Sequence, residues 1–189
     1  GFCVATITVI DSIAPDVIPG DIDVYLDENG MASIEGIDLD NGSTDNCAID
    51  TFMVSQGQFD CSNVGPAFND TLTVVDVNGN SNWAVGTVTV IDTIAPMTIC
   101  MDTTIALGID GTASITIGMI NNGSNDACGI DTLFASQYDF DCANIGDNDV
   151  TLTAIDVNGN TSSCISVVSV IDAIFPGVVC GGDTTVFND

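Results

Sequence analysis

The sequence predicts an all-β protein built from tandem immunoglobulin-like antiparallel β-sandwich modules. Three observations support this: a repeat of about 80 residues, apolar residues that alternate with a period of two, and Asn-Gly or Asp-Gly turns between the alternating stretches. About seven short strands fit into each repeat, which is typical of an immunoglobulin-like sandwich. No window shows the apolar stripe of a capped helix.

The repeat is clearest at a linker of the form Ile-Asp-x-Ile-x-Pro, which occurs three times and ends at Pro15, Pro96 and Pro176. Turn and cysteine motifs recur at nearly the same spacing between these linkers. The predicted organisation is a last strand of a preceding module (1–11), module one (12–92), module two (93–172) and the first strand of a following module (173–189).

Alternation is clearest in the last strand of each module, where apolar and polar residues fall on opposite faces as a half-buried strand requires. Turn pairs such as Asn29-Gly30 and Asp110-Gly111 separate the strands. The residues expected to face inward in the two last strands are Ala84, Gly86, Val88 and Val90, and Cys164, Ser166, Val168 and Val170.

The charge balance is the most unusual feature of the composition. Of 189 residues, 27 are Asp or Glu and none is Lys, Arg or His, which gives a formal net charge of −27. Nucleic acid and anionic membrane surfaces are excluded as partners, because no side chain can neutralise phosphate. The common general bases, Schiff-base lysines and oxyanion clamps are also missing, so no enzyme is predicted. No apolar run reaches the roughly 18 residues of a membrane helix, so no membrane insertion is expected.

Eight cysteines without any His or Cys-x-x-Cys pair favour disulfides over a metal site, and an oxidising, extracellular location. Cys100 and Cys164 are replaced together in module one, by Pro19 and Ala84, as a bonded pair predicts. Two further pairs share one spacing, which suggests local loops. Eight free thiols are the alternative. The predicted bonds are Cys47–Cys61, Cys128–Cys142 and Cys100–Cys164, with Cys3 and Cys180 bonded to partners outside modules one and two.

Acidic and amide side chains concentrate in two loops of each module and in the linker. In a sandwich these loops lie at the same end, where the linker enters, and six to eight such oxygens suit Ca²⁺. Ordinary turns, in which Asp and Asn cap their own backbone, are the alternative. The candidate ligands are Asp11, Asp38, Asp40, Asp45, Asp76, Asn78, Asp92, Asp126, Asp156 and Asn158.

The modules resemble the HYR-like immunoglobulin repeats that occur in tandem in surface adhesins and type IX-secreted proteins of Bacteroidota. The residues that carry the resemblance are the linker 91–96, the acidic loop 40–50, the Phe-Asp-Cys step 59–61 and the strand and turn 72–80. The resemblance covers essentially the whole chain. It implies a spacer or adhesive stalk at the cell surface, with no catalytic residues.

Asp-Ser and Asp-Thr triplets resemble the O-glycosylation sequence of Bacteroidota, although such triplets also arise by chance in a chain rich in Asp and Thr. The candidate acceptors are Ser12, Thr71, Thr93, Thr103, Thr132 and Thr184.

The sequence therefore predicts a structural repeat of an extracellular fibre or adhesin stalk. A self-assembling pilus-type subunit with exchanged strands and a carbohydrate- or protein-binding module are the alternatives. The expected partners are neighbouring modules or identical subunits in a filament, and glycans under the binding-module alternative.

Overall fold

The computed structural model describes residues 1–175. Two compact units are present. The first comprises Gly1–Pro96 together with two short segments, Asp126–Asp131 and Ile155–Asn160, which we call the junction loops. The second unit contains Met97–Asn125, Thr132–Ala154 and the described residues from Thr161 onward. No helix in the described part of the chain is long and apolar enough to span a membrane.

Six strands and one short α-helix make up module one, with a 3₁₀ turn at Cys61–Asn63. The elements are β1 (Asp21–Tyr25), β2 (Met31–Ser33), α1 (Gly36–Leu39), β3 (Ile49–Val54), β4 (Gln58–Asp60), β5 (Phe68–Asp76) and β6 (Ser81–Ile91).

Module two repeats the same order of elements, with its 3₁₀ turn at Cys142–Asn144. The elements are β7 (Thr103–Ala106), β8 (Thr112–Ser114), α2 (Ile117–Ile120), β9 (Ile130–Ala135), β10 (Asp139–Asp141), β11 (Gly146–Asp156) and β12 (Thr161–Ile171).

Each module forms a four-stranded and a two-stranded sheet. The order in module one is β1-β6-β5-β3 and β2-β4, and in module two β7-β12-β11-β9 and β10-β8. The first strand pairs in parallel with the last strand of its module, whereas β3, β5 and β6 pair antiparallel. The predicted all-β, immunoglobulin-like sandwich fold is confirmed.

Two details differ from the sequence prediction. The described residues form six strands in each module, where about seven were expected. They also form one-turn helices that the sequence did not predict, because four residues are too few to show an apolar stripe. Helix α1 begins with a capping box, in which the Glu35 and Asp38 side chains accept each other's backbone N–H.

The core of each module lies under its longest strands. Leu72, Val74 and Val88 have no exposed surface in module one, and Leu152 and Val168 have none in module two. On β6 the buried residues alternate with partly exposed ones from Gly86 onward, as the period of two predicts.

Residues 1–11 form no strand, and residues 1–10 are exposed. Their assignment as the last strand of a preceding module stays a prediction, as do the module boundaries. The predicted first strand of a following module falls almost entirely outside the described residues.

Candidate functional site

The linker that precedes each module meets an acidic loop of that module. One carboxylate oxygen each of Asp11 and Asp45 and the sulfur of Cys47 lie within 4.8 Å of one another, and the same holds for Asp92, Asp126 and the sulfur of Cys128. The structure therefore builds the same cluster twice. We call them the first and the second acidic cluster.

The turn after β5 holds the linker in place. The buried carboxylate of Asp76 accepts the backbone N–H groups of Asn78 and Asn80 at 2.9 and 2.8 Å, and the side-chain amide of Asn80 at 2.7 Å. The same amide donates to the carbonyl oxygen of Asp11 at 3.3 Å. Burial opposes ionisation of Asp76, but these donors outweigh it and lower the pKa of the carboxyl.

Asp156 repeats this arrangement in module two, with Asn158 N, Asn160 N and the Asn160 amide each 2.8 Å from its carboxylate. The Asn160 amide also donates to the carbonyl oxygen of Asp92 at 3.3 Å. The turn is thus a structural clamp on the linker, built from amide donors because the chain has no cationic side chain.

Backbone and side-chain N–H groups satisfy much of the hydrogen-bonding capacity of the carboxylates in the second acidic cluster. The Asp92 carboxylate, 8% exposed, accepts the Ile94 N–H at 2.9 Å and the Asn158 side chain at 3.1 Å. Asp126 accepts the N–H groups of Cys128 and Gly129 at 2.8 and 3.0 Å. Hydrogen bonds offset the charge of both groups.

The first acidic cluster is less satisfied. Asp11 Oδ2 and Asp45 Oδ1 are buried and have no hydrogen-bond partner in the described part of the chain. The Ile13 N–H and then the Cys47 thiol lower the pKa of Asp11. The hydrogen bond to Asp11, followed by desolvation and the charges of Asp11, Asp45 and Asp76, raises the pKa of Cys47. Cys47 is therefore held as a thiol beside two unpaired carboxylate oxygens.

Two predicted ligands lie in other turns. Asp38 accepts the Glu35 N–H at 2.8 Å within the α1 capping box. Asp40 accepts the N–H groups of Gly42 and Ser43, each at 3.1 Å. Both carboxylates therefore cap backbone turns, which is the alternative that the sequence left open.

Two disulfides lie within the described residues. One joins Cys100 to Cys164, the pair that the module alignment indicated. The other joins Cys61, at the start of the 3₁₀ turn after β4, to Cys128 in a junction loop. This bond lies within the first compact unit.

Two predicted bonds are wrong in this structure. Cys47–Cys61 and Cys128–Cys142 do not form, because Cys61 is bonded to Cys128 and both Cys47 and Cys142 are free. Cys47 precedes β3 in the four-stranded sheet, whereas Cys61 follows β4 in the two-stranded sheet. Cys47 lies beside Asp11 and Asp45, whereas Cys61 lies beside Gly30, where the loop that carries Cys128 reaches it. The equal spacing within the pairs Cys47/Cys61 and Cys128/Cys142 reflects the repeat of the modules. It does not indicate which cysteines are bonded.

Cys3 is a free, exposed thiol, and Cys180 lies outside the described residues. Their predicted partners outside modules one and two therefore stay predictions. Among the predicted glycan acceptors, Ser12, Thr93 and Thr132 are exposed, Thr71 and Thr103 are half-buried, and Thr184 is outside the described residues.

Two grooves lie at different places in the two modules. One, of about 590 Å³, is lined by β1 and β2 of module one, and the other, of about 550 Å³, is lined by β8 and β10 of module two. Asp27 and Asp38 contribute to the first and Asp110 and Asp139 to the second. Because they lie on different strand pairs, the two grooves are not copies of one site.

Fold and site together define a tandem β-sandwich repeat whose built features are its linkers and clamps. No protein-family model matches the chain, and no curated protein matches it. The resemblance to HYR-like repeats thus remains a prediction. Solved structures that resemble it include human protocadherin-24 EC1-2, at 15% identity and a TM-score of 0.41 over 86% of this chain and 100% of that one.

Two other solved structures give similar values. Drosophila N-cadherin EC1-4 is 14% identical with a TM-score of 0.40, over 85% of this chain and 50% of that one. Human mucin-like protocadherin EC1-2 is 14% identical with a TM-score of 0.37, over 85% of this chain and 99% of that one.

Proposed function

We propose that the chain is a structural repeat of an extracellular fibre or adhesin stalk, without catalysis. The observation that carries this proposal is the repeated linker clamp. Asp11 with Asn80 and Asp92 with Asn160 make the same contact in the two modules. A binding or catalytic protein concentrates its special residues in one cleft, whereas here they recur wherever a linker meets a module.

Composition and redox chemistry support an extracellular location. Disulfides such as Cys61–Cys128 and Cys100–Cys164 persist in oxidising compartments. A net charge of −27 with no basic residue keeps such a surface soluble and discourages non-specific association with anionic polymers.

A glycan array probed with the intact chain tests this function. A stalk repeat should bind no glycan above background, because its special residues recur at each linker and form no single binding cleft. Specific, saturable binding that is lost on changing groove residues of only one module, such as Asp139→Ala, would support the binding-module alternative instead. The change at the equivalent position of module one, Gln58→Ala, serves as the matched control.

We further propose that Ca²⁺ binds the first acidic cluster. Asp11 Oδ2 and Asp45 Oδ1 are buried carboxylate oxygens without a donor, and hard oxygen ligands of this kind suit Ca²⁺. The thiol of Cys47 is a soft group and would not contribute. The second cluster fits less well, since both oxygens of Asp92 already accept N–H groups. When bound, the ion would neutralise the linker and loop charges.

Thermal melting at low ionic strength with CaCl₂ or with EGTA tests the calcium site. Calcium at a hundredfold excess over its dissociation constant should add about 2.7 kcal/mol to the free energy of unfolding. Asp45→Asn should abolish this gain, whereas the matched change Asp126→Asn should retain it. An equal gain with MgCl₂ would indicate charge screening alone, and an unchanged midpoint would leave both clusters as hydrogen-bonded turns.

We also propose that exposed acceptors carry O-linked glycans, as the resemblance to Bacteroidota repeats implies. Ser12, Thr93 and Thr132 are the accessible candidates. Intact-mass analysis of the native polypeptide measures their occupancy.

A further inference from the structure

The free cysteines of modules one and two, Cys47 and Cys142, occupy positions equivalent to those of the bonded Cys128 and Cys61. Cys142 begins the 3₁₀ turn of module two as Cys61 does in module one. Cys47 follows Asp45 as Cys128 follows Asp126, and both lie in an acidic cluster. Cys142 is therefore equivalent to Cys61, and Cys47 is equivalent to Cys128. The two free thiols match the two halves of the Cys61–Cys128 bond.

The sulfur of Cys142 lies against Gly111 in the same way as the bonded sulfur of Cys61 lies against Gly30. We call each of these positions a sulfur seat. Cys61 Sγ lies 3.7 Å from the carbonyl oxygen of Gly30, and Cys142 Sγ lies 3.8 Å from that of Gly111. Both glycines are left-handed, with φ of 71° and 74°. A Cβ atom on Gly30 would lie 2.6 Å from Cys61 Sγ, and one on Gly111 would lie 3.1 Å from Cys142 Sγ.

Around Cys61 the junction loops cover this seat, whereas around Cys142 it is open. Cys61 and Val64 are half-buried, but Cys142 is exposed and Ile145, the counterpart of Val64, is 54% exposed. A groove of about 310 Å³ beside Cys142 is lined by residues that include Ile109, Asp172 and Phe175, of which Phe175 is 90% exposed.

The loops that carry Cys128 and Cys47 also differ in exposure, in the complementary way. Cys128 and Asn158 of the junction loops are half-buried, whereas the equivalent Cys47 and Asn78 of module one are exposed. Module one thus presents an uncovered copy of the loops that cover Cys61.

The linker after module two begins with the same hydrogen bond as the linkers that precede modules one and two. Asp172 accepts the Ile174 N–H at 3.0 Å, as Asp92 accepts that of Ile94 at 2.9 Å and Asp11 that of Ile13 at 3.1 Å. The linker 92–96 leads into the module that supplies Cys128. A module attached through the linker at 172 would bring its own acidic loop to Cys142.

We propose that Cys142 is the site of a disulfide to the Asp-x-Cys loop of a further module of this repeat, attached through the linker at Asp172. Cys47 is the matching half-site for the cysteine that begins the 3₁₀ turn of a preceding module. The inference rests on the proposed stalk function, and it makes the Cys61–Cys128 bond one member of a series that ties each module covalently to the next.

The chemistry is ordinary thiol–disulfide exchange with a small-molecule disulfide such as oxidised glutathione. The Cys142 thiolate attacks the oxidant and forms a mixed disulfide, which releases one reduced glutathione. The loop thiolate then attacks the Cys142 sulfur and releases the second. Two protein thiols are oxidised, one disulfide is reduced, and the two protons end on the released thiols.

A three-module chain tests the proposal. Residues 93–172 are repeated after Asp172 in place of 173–189, and the chain is refolded with oxidised and reduced glutathione and mapped without reduction. We expect Cys142 to be bonded to the appended copy's counterpart of Cys128. The appended counterpart of Cys142 should stay open to alkylation, as Cys142 itself is in the two-module chain.

The same map reports whether the chain has folded, since Cys61–Cys128, Cys100–Cys164 and the appended counterpart of Cys100–Cys164 must all be present. If the appended module does not fold, a second chain with residues 12–92 after Asp172 offers the loop of Cys47 in the same place. An alkylated Cys142 in a folded three-module chain would overturn the proposal. So would a bond between Cys142 and Cys47 of a second molecule, which would indicate assembly of separate copies. Neither outcome depends on the glycan array, so failure of this bond and failure of the stalk function are distinguishable.

Discussion

Reducing both disulfides should lengthen the fully extended chain by about 250 Å, whereas breaking either one alone should lengthen it by only about 30–40 Å. The two covalent loops overlap, because residue 100 lies between Cys61 and Cys128 and residue 128 lies between Cys100 and Cys164. With both bonds intact, the shortest route from Cys61 to Cys164 crosses both and uses about 28 residues. With either bond alone it needs about 36–39, and with neither about 103.

Optical-tweezers extension of single chains, held at their two ends, measures this difference. Cys100→Ser with Cys164→Ser leaves one bond, Cys61→Ser with Cys128→Ser leaves the other, and the remaining cysteines are replaced by Ser in every variant. The pairing that the spacing of the cysteines suggested gives a different result. With Cys47–Cys61 and Cys128–Cys142 formed, loss of Cys100–Cys164 would release about 170 Å. That value, measured with Cys47 and Cys142 restored, would contradict the observed bonding.

The fold was predictable because it depends on local patterns that repeat. Alternation on the last strand identified Val88 and Val90 as core residues, and both are buried. The repeat itself indicated identical modules, and the structure has the same order of elements in both. The α1 and α2 turns were missed since a helix of four residues leaves no periodic signal.

The candidate site was only partly predictable. The sequence indicated that the linker residues Asp11 and Asp92 would meet acidic loops, because loops at one end of a sandwich and the incoming chain converge. It could not separate carboxylates that join this cluster from those, such as Asp38 and Asp40, that cap their own turns. That distinction depends on which backbone N–H groups are left over, a property of the folded chain.

The disulfide between Cys61 and Cys128 was beyond sequence reasoning for a different reason. Cys61 and Cys128 each have an equivalent in the other module, Cys142 and Cys47, so a bond within a module and a bond to the next module are both compatible with the spacing. The position of the loop with Ala127 and Cys128 beside Gly30, which decides between them, is visible only in the structure.

Gly30→Ala should destabilise the first compact unit by about 2–5 kcal/mol, clearly more than Gly111→Ala destabilises the second. Both substitutions place an alanine at φ near 70°, which costs about 1–2 kcal/mol in either module. Only at Gly30 would the new Cβ also meet a seated loop, since it would lie 3.3 Å from Ala127 Cβ and 3.5 Å from Cys128 Sγ. Overpacking of this kind adds about 1–3 kcal/mol.

Hydrogen exchange at the slowest amides of β6 and β12 measures the two effects separately in one chain. Repeating both substitutions with Cys61→Ser and Cys128→Ser completes a double-mutant cycle, in which the excess cost at Gly30 should shrink toward the value at Gly111 as the junction loop is released. Equal destabilisation by the two substitutions in the oxidised chain would show that the loop carrying Cys128 does not press on Gly30. The open seat at Gly111 would then no longer be evidence for a missing loop. In the three-module chain, by contrast, a loop bonded to Cys142 should raise the cost of Gly111→Ala to that of Gly30→Ala, because the same contacts would then surround both glycines.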